Sequence, residues 1–189
     1  MTGIVIYKSK YGATAQYAHW IGEELNVPVC VATLENQQIF NYCQYIVLGT
    51  SVYEGKLLIA KWIRRNRNIL ANKKIFLFIV CGTPASEVEK LNDILKRNIP
   101  ADLLNNSEVF FLRGRMIKGK LTGFDRFILK MGASITKDPI ERKNMLTDFD
   151  EVNKENLTDF ISTIRKHTRV SHPLNPAEES PQYMRSTIE

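Results

Sequence analysis

Gly3-Ile4-Val5-Ile6-Tyr7-Lys8-Ser9-Lys10-Tyr11-Gly12-Ala13-Thr14 is the stretch whose reading decides the fold. Gly3–Tyr7 is apolar and rich in β-branched residues, as a buried strand requires. A short polar loop with one glycine follows. From Ala13 to Leu25 the period becomes helical, with Tyr17, Trp20, Ile21 and Leu25 on one face. Strand, short loop and helix form the opening half of a βαβ unit.

The same alternation continues outward. Val27–Leu34, Tyr45–Gly49, Lys74–Cys81 and Val109–Leu112 read as further strands. Lys74–Cys81 is almost continuously apolar, the pattern of a parallel strand covered on both faces. Between them, Leu57–Leu70 reads as a helix with Leu58, Trp62 and Ile69 near one stripe and Arg64, Arg65 and Arg67 toward water. Ser86–Asn98 reads as a helix with Val88, Leu91, Ile94 and Leu95 inward. Its acidic first turn and basic last turn suit the helix dipole. Asn153–Lys166 closes the domain, with Leu157, Phe160, Ile161 and Ile164 on its inner face. The expected fold is α/β, a three-layer sandwich around a five-stranded doubly wound parallel sheet. The expected domain is residues 1–167, with 168–189 a mobile tail carrying Pro173, Pro176 and Pro181.

Composition narrows the function. At 189 residues and 44% hydrophobic, the chain is long enough to bury one sizeable core. Its longest apolar run, Ile75–Cys81, is too short to span a bilayer. A strand beginning at Gly3 leaves no room for a signal peptide, so a cytoplasmic protein is expected. The three cysteines, Cys30, Cys43 and Cys81, have neither disulfide-framework nor zinc-site spacing. Cys30 and Cys81 lie in strand-like runs and read as reduced core residues. His19, His167 and His172 are scattered, so no metal site is expected. The formal net charge of +6 favours acidic partners, but no nucleic-acid motif accompanies it.

Ligands of doubly wound sheets bind beyond the carboxyl ends of the strands. Three loops therefore matter. In the first, Ser9 and Thr14 supply hydroxyls, Gly12 permits close backbone approach, and a helix N-terminus follows. Those are the parts of a phosphate cradle. Gly-Lys-Ser/Thr is missing, so the loop is no Walker A motif, and Gly-x-Gly-x-x-Gly is missing too. The second loop, Thr50-Ser51-Val52-Tyr53-Glu54-Gly55-Lys56, offers Tyr53 as a ring to stack on a flat ligand. The third is Cys81-Gly82-Thr83-Pro84-Ala85-Ser86.

The Ser/Thr-x-x-Gly-x-Thr pattern after the first strand resembles the FMN phosphate loop of flavodoxins. That resemblance, which follows residues 1–165 in element order, implies a flavodoxin-like fold with FMN as cofactor. Ser9, Gly12 and Thr14, with the backbone of Lys10, Tyr11 and Ala13, would then hold the phosphate. Thr50, Ser51, Val52 and Tyr53 would lie along the isoalloxazine ring, and Cys81, Gly82 and Thr83 would border its pyrimidine side. The third loop departs from the flavodoxin pattern, lacking both an aromatic and the usual acidic residues.

After the fifth strand comes a segment unusual for a plain flavodoxin, Arg113 to Met131. Phe124, Phe127, Ile128 and Met131 share one helical face, and Arg113, Arg115, Lys118, Lys120, Arg126 and Lys130 are opposed only by Asp125. Two readings are open. The stripe is core packing above a solvated basic face, or the segment receives an anionic apolar molecule or rests on an anionic membrane surface. Asp125-Arg126-Phe127, Lys130-Met131 and Thr147-Asp148-Phe149 resemble the flavodoxin-like, quinone-dependent protoporphyrinogen oxidases of bacteria. That resemblance implies FMN-dependent oxidation of protoporphyrinogen IX with a quinone as acceptor. Arg113, Arg115 and Lys118 would then pair with substrate propionates. No catalytic side chain stands out. The alternative is a flavodoxin-type electron carrier that docks to redox proteins and has no substrate of its own.

Overall fold

The computed structural model describes residues 3–33, 40, 42–84 and 86–171. The central sheet has the order β2-β1-β3-β5-β6, built from β1 (Gly3–Lys8), β2 (Val29–Val31), β3 (Tyr45–Tyr53), β5 (Lys74–Cys81) and β6 (Ser107–Arg113). These five strands are parallel throughout; Ile4 registers with Ile46, Ile46 with Ile75, and Ile75 with Ser107. A short β4 (Lys56–Leu57) pairs antiparallel with the end of β3. This is the doubly wound α/β sheet expected from the alternation of patterns.

Period-two alternation divides the core into two layers. Ile4, Ile6, Ile46, Leu48, Ile75, Leu77 and Ile79 face one side, packed against Trp62 and Ile63 of α2 (Ala60–Arg65), Leu70 of α3 (Arg67–Leu70) and Leu103 of α5 (Ala101–Asn105). Val5, Val47, Phe76, Phe78 and Val80 face the other side. They meet Tyr17 and Ile21 of α1 (Ala13–Leu25) and Phe160 and Ile164 of α8 (Thr158–Ser171). Both faces are dry, which is why Lys74–Cys81 shows no polar alternation.

Several local expectations change. Leu57–Leu70 is two helices rather than one. Asn66, 2% exposed, stands between them, and its side-chain amide joins its N–H in donating to the Trp62 carbonyl, at 2.8 and 3.1 Å. Val88 opens α4 (Val88–Asn98) in solvent at 58% exposure instead of facing inward; Leu91 carries the buried contact. The second strand is shorter than Val27–Leu34, and Leu34 lies outside the described residues, as does Ala85 of the third loop. The closing helix runs to Ser171 after a 3-10 turn, Lys154–Leu157, that Asn153 caps. Residues 172–189 of the expected tail lie outside the described residues.

The segment after β6 makes an excursion of its own. A two-stranded antiparallel ribbon, β7 (Arg115–Met116) with β8 (Phe149–Asp150), forms its base. Beyond the ribbon lie α6 (Gly123–Ile135) and α7 (Pro139–Met145). The apolar stripe of α6 is not core packing: Phe124 is 66% exposed, Phe127 59% and Met131 49%. The helix buries a different side, with Asp125 and Ala133 inward.

Candidate functional site

The strand order reverses between β1 and β3, because the chain passes outward to β2 before returning. The loops after these two strands flank that switch point, the place where doubly wound sheets bind their ligands. Ser9 to Thr14 form the first wall. Ser9 Oγ accepts the Gly12 N–H at 3.1 Å and holds the turn. Gly12 sits at φ +89°, in the left-handed region that side chains disfavour, and nothing lies within 4 Å of where its Cβ would stand. From Ala13 the helix starts with no side-chain cap and no acidic residue in its first turn. Its first N–H groups therefore have no intrahelical acceptors, and its dipole favours an anion. Within that turn Thr14 is 1% exposed, and its Oγ1 is buried with no hydrogen-bond partner among the described residues. Buried hydroxyls are normally paired, so an unpaired one at a helix N-terminus suits the site to an anionic ligand.

The second wall is a hairpin rather than an open loop. β3 continues through Thr50-Ser51-Val52-Tyr53 because β-branched residues alternate there. It turns at Glu54 (φ +49°) and Gly55 (φ +70°), and Val52 registers with Leu57. Thr50 is fully buried and accepts the Ile59 N–H at 3.3 Å. Val52 packs against the core, while Ser51 and Tyr53 stand on the opposite face of the strand.

Tyr53 leads to Asp125, which the sequence offers as an opposing charge and as part of the Asp125-Arg126-Phe127 stretch but not as a site residue. The Tyr53 hydroxyl donates to Asp125 Oδ1, from the first turn of α6. Lys10 of the first loop donates to the same oxygen at 2.9 Å. It lies 2.8 Å from Oδ2, where the contact is ionic rather than a directed hydrogen bond. The ammonium also sits 3.7 Å from the Tyr53 ring centroid, a cation–π contact. Burial lowers the Lys10 pKa, but hydrogen bonds to Asp125 and Tyr53 outweigh it and leave the group above its ordinary value. Thr122 caps α6 by accepting the Asp125 N–H at 3.1 Å, and its own N–H donates to Tyr11 Oη at 3.4 Å. One buried carboxylate thus joins first loop, hairpin and α6. Sequence spacing held no signal for this, since Lys10 and Asp125 are 115 residues apart. Asp125→Asn keeps an acceptor but removes the charge. We expect a stability loss of about 1–2 kcal/mol in urea unfolding, moderated by the partial exposure of Lys10. An unchanged midpoint would show that the cluster contributes nothing net.

The third wall is partly covered. Phe149 of β8 lies over Gly82, so close that a Cβ there would stand 3.2 Å from its ring. Cys81 is buried and directs its thiol at the Thr83 carbonyl, 3.7 Å away. Burial pushes that thiol up despite Thr83 and Arg113, so it stays protonated at neutral pH. All three cysteines are free thiols.

Arg113, Arg115 and Lys118 come together at the ribbon, each opposite a carboxylate. Arg113 pairs with Glu151 and reaches the Gly82 carbonyl at 3.5 Å. Arg115 pairs with Asp150 at 2.7 Å and donates to Gln16 at 3.1 Å. Lys118 Nζ lies 4.0 Å from Asp148, which also accepts the Lys118 N–H at 3.0 Å. Elsewhere, an open groove between α1 and α8 contains Glu24, which pairs with Lys154 at 2.9 Å and Arg165 at 3.1 Å. It lies away from the three walls. Among the described residues no cluster of potential metal ligands forms, and no helix is long and apolar enough to cross a membrane.

A flavodoxin domain family model matches residues 4–143. The chain is similar to oxidised flavodoxin 2 from Bacillus cereus, with 15% identity, 88% of this chain and 99% of that one covered, and a TM-score of 0.48. It is also similar to a flavodoxin from the domain Archaea, with 20% identity, 68% and 90% covered, and a TM-score of 0.41. A third similar structure is the flavodoxin of Streptococcus pneumonia TIGR4, with 15% identity, 71% and 100% covered, and a TM-score of 0.43. No curated protein sequence matches the chain.

Proposed function

The chain belongs to the flavodoxin domain family, and from that premise we propose that it is an FMN-binding oxidoreductase. The observation that carries the reading is the orphaned Thr14 hydroxyl at the uncapped N-terminus of α1. Ser9, Gly12 and Thr14, with the backbone of Lys10, Tyr11 and Ala13, hold the phosphate. Thr50 to Tyr53 flank the ring system, with Ser51 and Tyr53 on the strand face turned away from the core. Cys81, Gly82 and Thr83 border the remaining edge. FMN, when bound, supplies the electron-transfer chemistry. The chain's residues bind it, orient it and exclude water. Lys10 is occupied by Asp125, so its side chain steadies the cradle rather than meeting the phosphate.

For the substrate we propose protoporphyrinogen IX, with a quinone as acceptor. Asp125, from the Asp125-Arg126-Phe127 stretch that distinguishes the oxidase resemblance, touches two walls of the cradle. One observation favours the second reading, an electron carrier. The carboxylates of Asp148, Asp150 and Glu151 already pair with Lys118, Arg115 and Arg113, which a propionate would have to displace.

The test is a visible spectrum before and after FMN addition, followed by anaerobic protoporphyrinogen IX and then a quinone. We expect flavin bands that bleach with the porphyrinogen and recover with the quinone. Bound flavin indifferent to the porphyrinogen would favour the carrier. Failure to take up FMN would overturn both.

A further inference from the structure

We propose that Asp125 is a positioning residue of the flavin site: it holds the Lys10 ammonium against the Tyr53 ring, and the charge balance of that pair sets how readily the bound flavin is reduced. The role rests on the flavin reading and adds to it α6, a helix outside the three walls.

Asp125 is 6% exposed, and one of its oxygens serves two donors. Oδ1 accepts from the Tyr53 hydroxyl and from Lys10 Nζ at 2.9 Å. Oδ2 faces the same ammonium at 2.8 Å without a directed hydrogen bond. The ammonium stands 3.7 Å from the Tyr53 ring centroid, which leaves at most one face of that ring for a flat ligand. α6 rests on the first loop a second time, where the Thr122 N–H donates to Tyr11 Oη at 3.4 Å. Thr122 also caps the turn that carries Asp125. The carboxylate therefore cannot leave Lys10 and Tyr53 unless the start of α6 moves with it.

Holding a loop to a helix does not require charge. Apolar side chains of similar volume do so as well as a buried ion pair, and often better. Here the pair spans two parts of the site, Lys10 in the phosphate turn and Tyr53 beside the ring system. Reduction adds electron density to a flavin, so a neighbouring cation favours the reduced form and a neighbouring anion opposes it. Burial works against the ammonium, but its hydrogen bonds to Asp125 and Tyr53 outweigh that and keep it charged at neutral pH. Asp125 offsets this charge from a buried position, where salt screens little. Arg126, the next residue on α6, is exposed and provides the contrast.

The test is the midpoint potential of the FMN-loaded full chain, with the FMN dissociation constant in each oxidation state. The parent is compared with Asp125→Asn, Lys10→Met, the double variant and Arg126→Gln. Asp125→Asn leaves the cation unbalanced. We expect the reduced form to gain about tenfold over the oxidised form, a rise of about 30 mV for a two-electron couple. Lys10→Met leaves the carboxylate unbalanced and should lower the potential by a similar amount. The double variant should return close to the parent, because both charges go together. Arg126→Gln should leave the potential in place, since solvent screens that charge. A cluster that only holds the fold would weaken FMN equally in both oxidation states and move no potential, which overturns the proposal. Shifts of the same sign in the two single variants overturn it too. So does an equal gain of affinity in both states by Asp125→Asn, which would assign the carboxylate to keeping Lys10 off the phosphate. Lys10→Met alters a part-exposed loop side chain, so it decides the matter even where Asp125→Asn folds poorly. A parent that takes up no FMN overturns the flavin reading and this role together. FMN uptake with fixed potentials overturns this role alone.

Discussion

Thr14→Val is expected to weaken FMN binding about ten- to a hundredfold while leaving the flavin-free protein as stable as the parent, or more so. The two effects have opposite signs for one reason. Thr14 Oγ1 is buried without a partner among the described residues, and such a group costs about 1–3 kcal/mol relative to an apolar replacement. Valine fills the same space without the hydroxyl and removes that penalty. A hydrogen bond to a charged phosphate contributes about 1.5–3 kcal/mol, and each 1.4 kcal/mol is about a factor of ten in affinity. Quenching of flavin fluorescence on titration reads the affinity, and thermal melting of the flavin-free protein reads the stability. Unchanged affinity would place the hydroxyl outside the phosphate's reach. A marked fall in melting temperature would mean that Thr14 serves the fold instead. A purely structural threonine loses stability and keeps affinity, so the two roles cannot be confused.

The local geometry of the first loop is legible in the sequence, and the reason is locality. Strand, Gly12 and helix are contiguous, so the tight strand-to-helix turn over Ser9 to Thr14 follows from spacing alone. The hairpin was partly legible. Tyr53 stood out as an aromatic after a strand, but a strand continuing through Thr50–Tyr53 depends on pairing with Lys56–Leu57 across a turn with two positive φ angles. Asp125 was invisible as a site residue. Its role arises only when α6 is folded back onto the first loop, a contact that no periodicity encodes. Likewise the basic run Arg113 to Lys118 looked unopposed because its partners, Asp148, Asp150 and Glu151, arrive on or directly beside the returning strand of the ribbon.

The fold was legible for a different reason. Buried parallel strands must be apolar on both faces, so Lys74–Cys81 declared itself, and its observed bounds are those the pattern gave. Helical stripes are less decisive, because a stripe reports that a face is apolar and not what covers it. Leu157, Phe160, Ile161 and Ile164 did turn inward. The stripe of α6, of similar composition, did not. Only tertiary context separates the two.

Phe160→Ala and Phe127→Ala turn that distinction into the second large expected effect. Phe160 is fully buried, and its ring meets Phe78 at 5.8 Å and Phe110 at 5.1 Å between centroids, both edge-on. It therefore links α8 to two neighbouring strands, β5 and β6. Truncation removes the buried ring, leaves a cavity that the sheet cannot close, and loses two aromatic pairs of about 0.5–1.5 kcal/mol each. The expected total is about 3–5 kcal/mol, a fall in melting temperature on the order of 10 °C. Phe127, at 59% exposure, has no such neighbours to lose, and its truncation should stay within about 0.5 kcal/mol. Urea denaturation of the two variants side by side measures the contrast. Comparable losses would mean that α6 packs its stripe against the body in solution. That result would place the α6 stripe in the core after all, against the 59% exposure of Phe127.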